Sequence, residues 1–461
     1  MCGIFGVFGK KIDAQQAQRS FETIEHRGKD ALGKIEEKER ILLHCLHAVV
    51  GNIKQPLVSS ASTFMANCEI YNWKELNTKY TLHAKNDAEL LFFLLEKKGL
   101  VALDELDGVY AFFYQKGDVV YLARDIIGEK PLCFVHTDKL FAFASEGKAI
   151  AQYGSVQHLL PLDILVYDIK THQCKKETRA FFTRPQETTL PKEEIMQRLE
   201  VLFLEAVRKR TEGLAHFGIL FSGGIDSTLL AFLCKKLGKK FTCYTAAFAD
   251  GNTRNAPDLL QAQEVAKQLG FPLKTKVLGL QETEAVVKEV IKIIETTNPI
   301  KVGVALPFYV CAKMAVEDGN KVLLSGLGSE ELFAGYQQHL DVLKEKGDVN
   351  VECLRGLSLL WDRDLYRDDL VTMAHTVELR LPFLDYDLIN YALSIPTKWK
   401  IDLKQNKIIL RDCAKEIGIP QEVAERKKIA AQYGSNFDKA LEKLAKKNGC
   451  KGKKDWLGKV I

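Results

Sequence analysis

Eleven cysteines are scattered from Cys2 to Cys450 without a single C-x-x-C pair, and their number is odd. That excludes a disulfide framework and a zinc-finger spacing and reads as reduced thiols of a cytoplasmic protein. Proline is scarce, with 12 in 461 residues, and neither a repeat nor a low-complexity tract occurs, so long linkers have little room. No apolar run reads as long enough to cross a bilayer. The start MCGIFGVFGKK lacks the basic-then-apolar layout of a signal peptide, so no membrane partner is expected. A dominant charge is missing too: 65 basic against 60 acidic residues leave +5, too weak a bias to predict a nucleic-acid partner. What remains is ordinary globular material, 46% hydrophobic and 27% charged, long enough for roughly two to three domains.

To about residue 180 the chain reads as short β segments: GIFGVFG, STFMANCEI, GVYAFFYQ, DVVYLAR and LFAFAS. They are rich in aromatic and β-branched residues and are cut by Gly and Asp-Gly turns. Asp87 to Lys97 has helical spacing with an acidic first turn. The stretch RPQETTLPKEE, with two prolines and little apolar content, marks a boundary at 184–194. Beyond it Ile195, Leu199, Leu202, Phe203 and Ala206 share one helical face, and strands then alternate with helices (HFGILF, a helix from Asp226, FTCYTAAF, a helix near Gln261 to Leu269, KVLLSG). Such alternation predicts a parallel sheet. The Lys-rich stretch from Asp438 reads as an exposed, partly frayed helix.

Between the strand Phe217 to Phe221 and the helical run TLLAFLCKKL stands Ser222-Gly223-Gly224-Ile225-Asp226-Ser227. A glycine pair there lets backbone N–H groups converge at a helix N-terminus, a cradle for phosphate. Ser222 and Ser227 can donate to phosphate oxygens. Asp226 repels phosphate, so a bridging Mg2+ is the natural reason for a carboxylate there. A second strand, Lys321 to Leu324, runs into Ser325-Gly326-Leu327-Gly328-Ser329-Glu330-Glu331. In a parallel sheet both loops leave from C-terminal strand edges, where ligands bind.

Together with MAHTVELRLPFLD (Met373 to Asp385) and the N-terminal MCGIFG, these motifs resemble the glutamine-hydrolysing asparagine synthetase family over essentially the whole chain. Ala305 to Pro307 and Gln432 to Ser435 are similar to its divergent branch called asparagine synthetase domain-containing protein. The resemblance implies an α+β N-terminal-nucleophile sandwich (αββα), a class II glutamine amidotransferase domain over 2–183. An α/β parallel-sheet ATP-pyrophosphatase domain, adenine nucleotide α-hydrolase-like, would follow over 195–461. It implies a carbon–nitrogen ligase: ATP activates a carboxylate, aspartate in the family, as an acyl-adenylate with loss of pyrophosphate, and ammonia from glutamine then forms the amide. Cys2 would be the nucleophile, with its own α-amine as base once Met1 is removed. Asn67 and the N–H of residue 68 would bind the oxyanion. Asn67, Cys68 and Glu69 lie in the family's glutamine-binding segment, and Asp87 matches the acid that holds the substrate ammonium. Leu220 and Ala246 would contact the adenosine, with Ser325 and Gly326 closing over it. Ser222, Gly223, Gly224, Asp226 and Ser227 would cradle pyrophosphate, Asp226 and Glu330 would hold Mg2+, and Lys428, with Lys427 as the alternative, would neutralise the leaving group. The expected partners are glutamine or ammonia, ATP, and aspartate or another acid; a homodimer stays open.

Four departures qualify the match. Cys68 stands where the family has Gly; were that backbone left-handed, a Cβ would cost on the order of 1 kcal/mol. No Arg occurs between Arg40 and Arg124 to grip the glutamine carboxylate, leaving His47 or Lys54 as substitutes. Leu327 replaces a Glu that would act on ammonia. IKVGVAL (Ile300 to Leu306) replaces a polar stretch facing aspartate, which suits core packing or a less polar acid. The competing readings are an adenylating enzyme for another acid, or a non-amidating protein whose amidotransferase module has degenerated.

Overall fold

The computed structural model describes residues 2–251, 255–426 and 430–460. The chain divides into two compact units, Met1–Phe181 with Trp361–Thr376, and Phe182–Leu360 with Val377–Ile461.

Two six-stranded antiparallel sheets make up the first unit. One runs Gln157–His158, Cys133–His136, Leu140–Ala144, Gly3–Gly9, Arg40–Leu46, Ala31–Glu36. The other runs Gln173–Thr178, Asp163–Asp168, Val119–Arg124, Gly108–Lys116, Ser62–Ile70, Leu57–Val58. Strand alternation sorts the side chains into three layers. Ile4 and Phe8 face inward with Phe113, Phe143 and Leu122 between the sheets, while Phe5 and Val7 face out against Phe21 of the helix Ala14–Glu22. On the other outer face Phe64, Phe112 and Tyr114 receive Leu90, Leu91 and Leu94 of the helix Asp87–Lys98. Helix, sheet, sheet, helix is the expected αββα sandwich. The helix Tyr366–Met373, far along the chain, belongs to this unit and adds Tyr366 to the outer layer.

In the second unit a five-stranded parallel sheet runs Leu273–Leu278, Phe241–Phe248, Phe217–Leu220, Val322–Leu324, Glu378–Arg380. Order reverses at the central strand, a topological switch point that opens a crevice at the carboxyl ends. Two expectations fail here. The helix Pro299–Glu317 is long and apolar enough to cross a membrane. Half of that stretch is buried inside the protein, so it reads as a core helix; within IKVGVAL, Val302, Ala305 and Leu306 are fully enclosed while Ile300 is exposed. The Lys-rich stretch is not frayed: the helix Phe437–Lys447 buries Phe437, Ala440, Leu441, Leu444 and Ala445 along one stripe, and its lysines ring the opposite face.

Candidate functional site

Cys2 enters the strand Gly3–Gly9 buried, with its backbone nitrogen donating to Asn67 Oδ1 at 3.0 Å. Asn67 sits in the strand Ser62–Ile70 with no exposed surface, and its Nδ2 has no hydrogen-bond partner among the described residues. A buried amide left unpaired costs about 1–3 kcal/mol unless a ligand satisfies it. Its placement one side chain from Cys2 suits an oxyanion donor. Arg27 fixes the other side of the nucleophile, its Nε donating to the Cys2 carbonyl at 3.2 Å. That guanidinium is fully buried between Glu146 and Asp369, each 2.8 Å away. Burial alone would lower its pKa, but Asp369 and Glu146 raise it above the ordinary value. The run His26-Arg27-Gly28 supports the family resemblance around Cys2 in the sequence, but nothing in the sequence points to Glu146 and Asp369 as the partners of Arg27.

Cys68 does not need a left-handed backbone: it lies in the strand, paired opposite Tyr110, and is absent from the positive-φ positions. The expected conformational cost therefore does not arise. What the substitution adds is a thiol, 3.8 Å from Asp87 Oδ2. Burial, with Asp87 and Cys2 adding to it, holds that thiol well above its usual pKa, so it stays neutral. Asp87 opens the helix Asp87–Lys98, its Oδ2 accepting from the Ile70 N–H at 3.1 Å, and Glu69 is buried nearby in sequence. His47 is buried with Nδ1 3.9 Å from Asp30, and Lys54 is exposed.

In the second unit the helix Ile225–Lys236 starts at Gly224 without a side-chain cap, leaving its first N–H groups for a ligand. Gly223 takes φ +70°, and its carbonyl accepts from Gln261 Nε2 at 2.6 Å, so the helix Pro257–Leu269 props the loop. Ser222 and Ser227 hydroxyls lie 3.4 Å apart, and Gly224 N donates to Ser222 Oγ at 3.3 Å. Leu220 ends its strand opposite Tyr244, which puts Ala246 and Ser222 together past that edge. The second loop closes on the first: a Cβ on Gly326 would meet Asp226 Cβ at 2.9 Å and the Ser227 nitrogen at 3.3 Å. Ser325 N is tied to the Arg380 carbonyl at 3.1 Å. Leu327 is half-buried and has no proton-accepting group. Lys427 and Lys428 lie outside the described residues. The segments on either side of them are anchored: the Arg426 carbonyl accepts from Arg411 at 3.0 Å, and Gly434 packs so closely on the Asp258 carboxylate that a Cβ there would come within 2.2 Å.

Asp226 and Glu330 converge on one cationic atom, Lys407 Nζ, at 2.6 and 2.9 Å. This lysine was not singled out in the sequence. Two carboxylates meeting at a single positive point form a donor pair that fits a hard cation, with phosphate and water to complete its shell, as Mg2+ prefers. No group of three or more His, Cys, Asp or Glu able to hold a metal occurs among the described residues. A cavity of about 720 Å³ opens beside Glu330 and Gly335, lined further by Tyr336, Asn406 and Arg411.

A buried second-position cysteine on an αββα sandwich, followed by paired Gly-Ser loops at a parallel-sheet switch point, defines a glutamine-amidotransferase unit joined to a nucleotide-loop unit. Residues 1–195 match the family model for a glutamine amidotransferase domain, and residues 198–349 and 342–455 match that for asparagine synthase. The chain is 34% identical to a putative glutamine-hydrolysing asparagine synthetase of Methanocaldococcus jannaschii, over 97% of this chain and 96% of that one. It is 31% identical to the glutamine-hydrolysing asparagine synthetase of Gallus gallus, over 94% and 84%. Against asparagine synthetase B of Escherichia coli the figures are 29%, 95% and 83%. The chain belongs to the glutamine-hydrolysing asparagine synthetase family.

Proposed function

We propose that this protein amidates a carboxylic acid, aspartate first among them, at the expense of ATP, with glutamine or free ammonia as the nitrogen source. In the first unit the Cys2 sulfur would attack the side-chain amide carbon of glutamine. Asn67 Nδ2 would bind the oxygen that becomes negative, and the Cys2 amine would carry the thiol proton to the departing ammonia. Water then cleaves the thioester to glutamate. Arg27 keeps the Cys2 carbonyl in place throughout.

In the second unit the acid's oxygen would attack the α-phosphorus of ATP, breaking the bond to the β-phosphate. Gly223, Gly224, Ser222 and Ser227 would hold the departing pyrophosphate, and Ser325 and Gly326 would cover the adenosine. Asp226 and Glu330 fit Mg2+, whose contribution when bound is to neutralise phosphate charge. Ammonia then attacks the acyl carbon, and AMP leaves with the bonding pair. The observation that carries this reading is the packing of Gly326 onto Asp226 and Ser227, which makes one site of two loops about a hundred residues apart in sequence. A cytoplasmic setting is part of the proposal, and eleven free thiols suit it.

A second reading, an enzyme that works on ammonia and uses glutamine poorly, is favoured by the Cys68 thiol beside Asp87 and by the missing arginine. Exchange of labelled pyrophosphate into ATP, measured with a panel of acids, tests the main reading. Aspartate should give the fastest exchange, and exchange with no acid at all would refute it. Amide yield from glutamine against ammonia, compared in the same reaction, separates the second reading from the first.

A further inference from the structure

The carboxylates suited to a divalent cation are already shared by a cation of the chain itself. Besides Asp226 Oδ1 at 2.6 Å and Glu330 Oε1 at 2.9 Å, Lys407 Nζ lies 2.9 Å from Ser329 Oγ, so all three ammonium donors have acceptors. The side chain is nearly fully buried, and its backbone takes a left-handed φ of 55° as the residue that starts the helix Ile408–Ile417. A lysine keeps such a conformation only where its surroundings impose it. One such constraint is visible at Gly335, whose missing side chain leaves room for both the Glu330 carboxylate and the Lys407 stem: a Cβ there would meet Lys407 Cε at 2.5 Å.

The ammonium takes one oxygen of each carboxylate, Asp226 Oδ1 and Glu330 Oε1, and sets a positive charge at the point where a divalent ion bridging the two would sit, so lysine and metal compete for the gap. Expelling the lysine into an otherwise unchanged buried site would leave a positive charge without compensation. A triphosphate changes that balance. It brings several negative charges to the same loops, and the open cavity beside Glu330 gives the flexible stem somewhere to turn. We propose that Lys407 closes the Asp226–Glu330 gap to divalent metal until a triphosphate arrives, so that metal binds only with nucleotide and the phosphates take over the displaced ammonium. This rests on the reading that ATP binds between the two loops.

Manganese serves as the probe, its free concentration followed by electron paramagnetic resonance in the presence of the full-length protein. Five samples suffice: the unaltered protein and Lys407→Met, each with and without the α,β-methylene analogue of ATP, and Lys407→Met combined with Asp226→Asn without it. Without nucleotide the unaltered protein should show no manganese site, and Lys407→Met should gain one at least tenfold tighter, which Asp226→Asn in the same chain removes. With the analogue both should bind one manganese. Equal nucleotide-free affinity in the two proteins overturns the proposal while leaving the ATP site intact. If the unaltered protein binds neither manganese nor the analogue under any condition, the ATP reading falls and takes this one with it. Circular dichroism and thermal melting establish that Lys407→Met folds. Should it not, the unaltered protein still decides the matter. Manganese and the analogue must raise one another's affinity at least tenfold, equally in both directions, and independent binding refutes the proposal.

Discussion

Replacing Gly326 by alanine probes the joint between the two loops. The added Cβ would stand 2.9 Å from Asp226 Cβ, 3.2 Å from the Asp226 carbonyl carbon and 3.3 Å from the Ser227 nitrogen. Two of these neighbours are backbone at the start of the helix Ile225–Lys236 and cannot rotate away, so one loop must retreat. Overpacking of this kind costs about 1–3 kcal/mol. Taken out of nucleotide binding, that is roughly a 5- to 150-fold rise in the ATP concentration needed for half-maximal pyrophosphate exchange. The assay is exchange across a range of ATP concentrations, with glutamate release from glutamine measured on the same sample as a control on the first unit. Gly452→Ala is the matched control, because a Cβ there meets nothing within 4 Å and the backbone is extended. An ATP dependence no worse in Gly326→Ala than in Gly452→Ala would refute the joint site.

Asn67→Ala removes the only free amide beside Cys2 among the described residues; glutamine-dependent turnover should fall about 10²- to 10³-fold, with ammonia-dependent amide formation unchanged in the same preparation. Cys68→Gly clears the thiol from the space by Asp87, and since one extra group in a pocket is worth about 1–3 kcal/mol, KM for glutamine should drop roughly fivefold or more at constant kcat. His44 is held neutral by burial, which lowers its pKa to about 3. Below about pH 6.5 the unfolded chain therefore takes up a proton that the folded one refuses, and stability is lost as pH falls, by up to about 1.4 kcal/mol per unit. Urea midpoints from pH 7 to 4 should fall less steeply in His44→Leu than in the unaltered protein, and parallel slopes would contradict this.

Much of the fold can be read from local pattern. The residues Ile4 to Phe8 alternate between two cores, and the run Phe217 to Ser227 passes from strand through glycines to helix, so period and turn chemistry suffice. Composition misled where a stripe outweighed it. Phe437–Lys447 is rich in lysine, yet its apolar residues recur at helical spacing and decide its burial. Pro299–Glu317 had the opposite problem, being apolar enough for a membrane yet sized for this core. The site's supporting charges were invisible for another reason. Lys407 meets Asp226 across 181 residues and Arg27 meets Glu146 across 119, and nothing local announces either pair. The usable hint was indirect: Asp226 and Glu330 are two acids assigned to one place, which calls for a counter-ion from somewhere else in the chain.

The central claim is that a carboxylate oxygen displaces pyrophosphate from the α-phosphorus. Aspartate carrying 18O in both carboxylates, incubated with the protein, ATP, magnesium and ammonia, reads this directly in the mass of the nucleotide product. The account predicts AMP with one 18O on its phosphate and amide formed in equal amount. ADP with labelled orthophosphate, or AMP without the label, would contradict it.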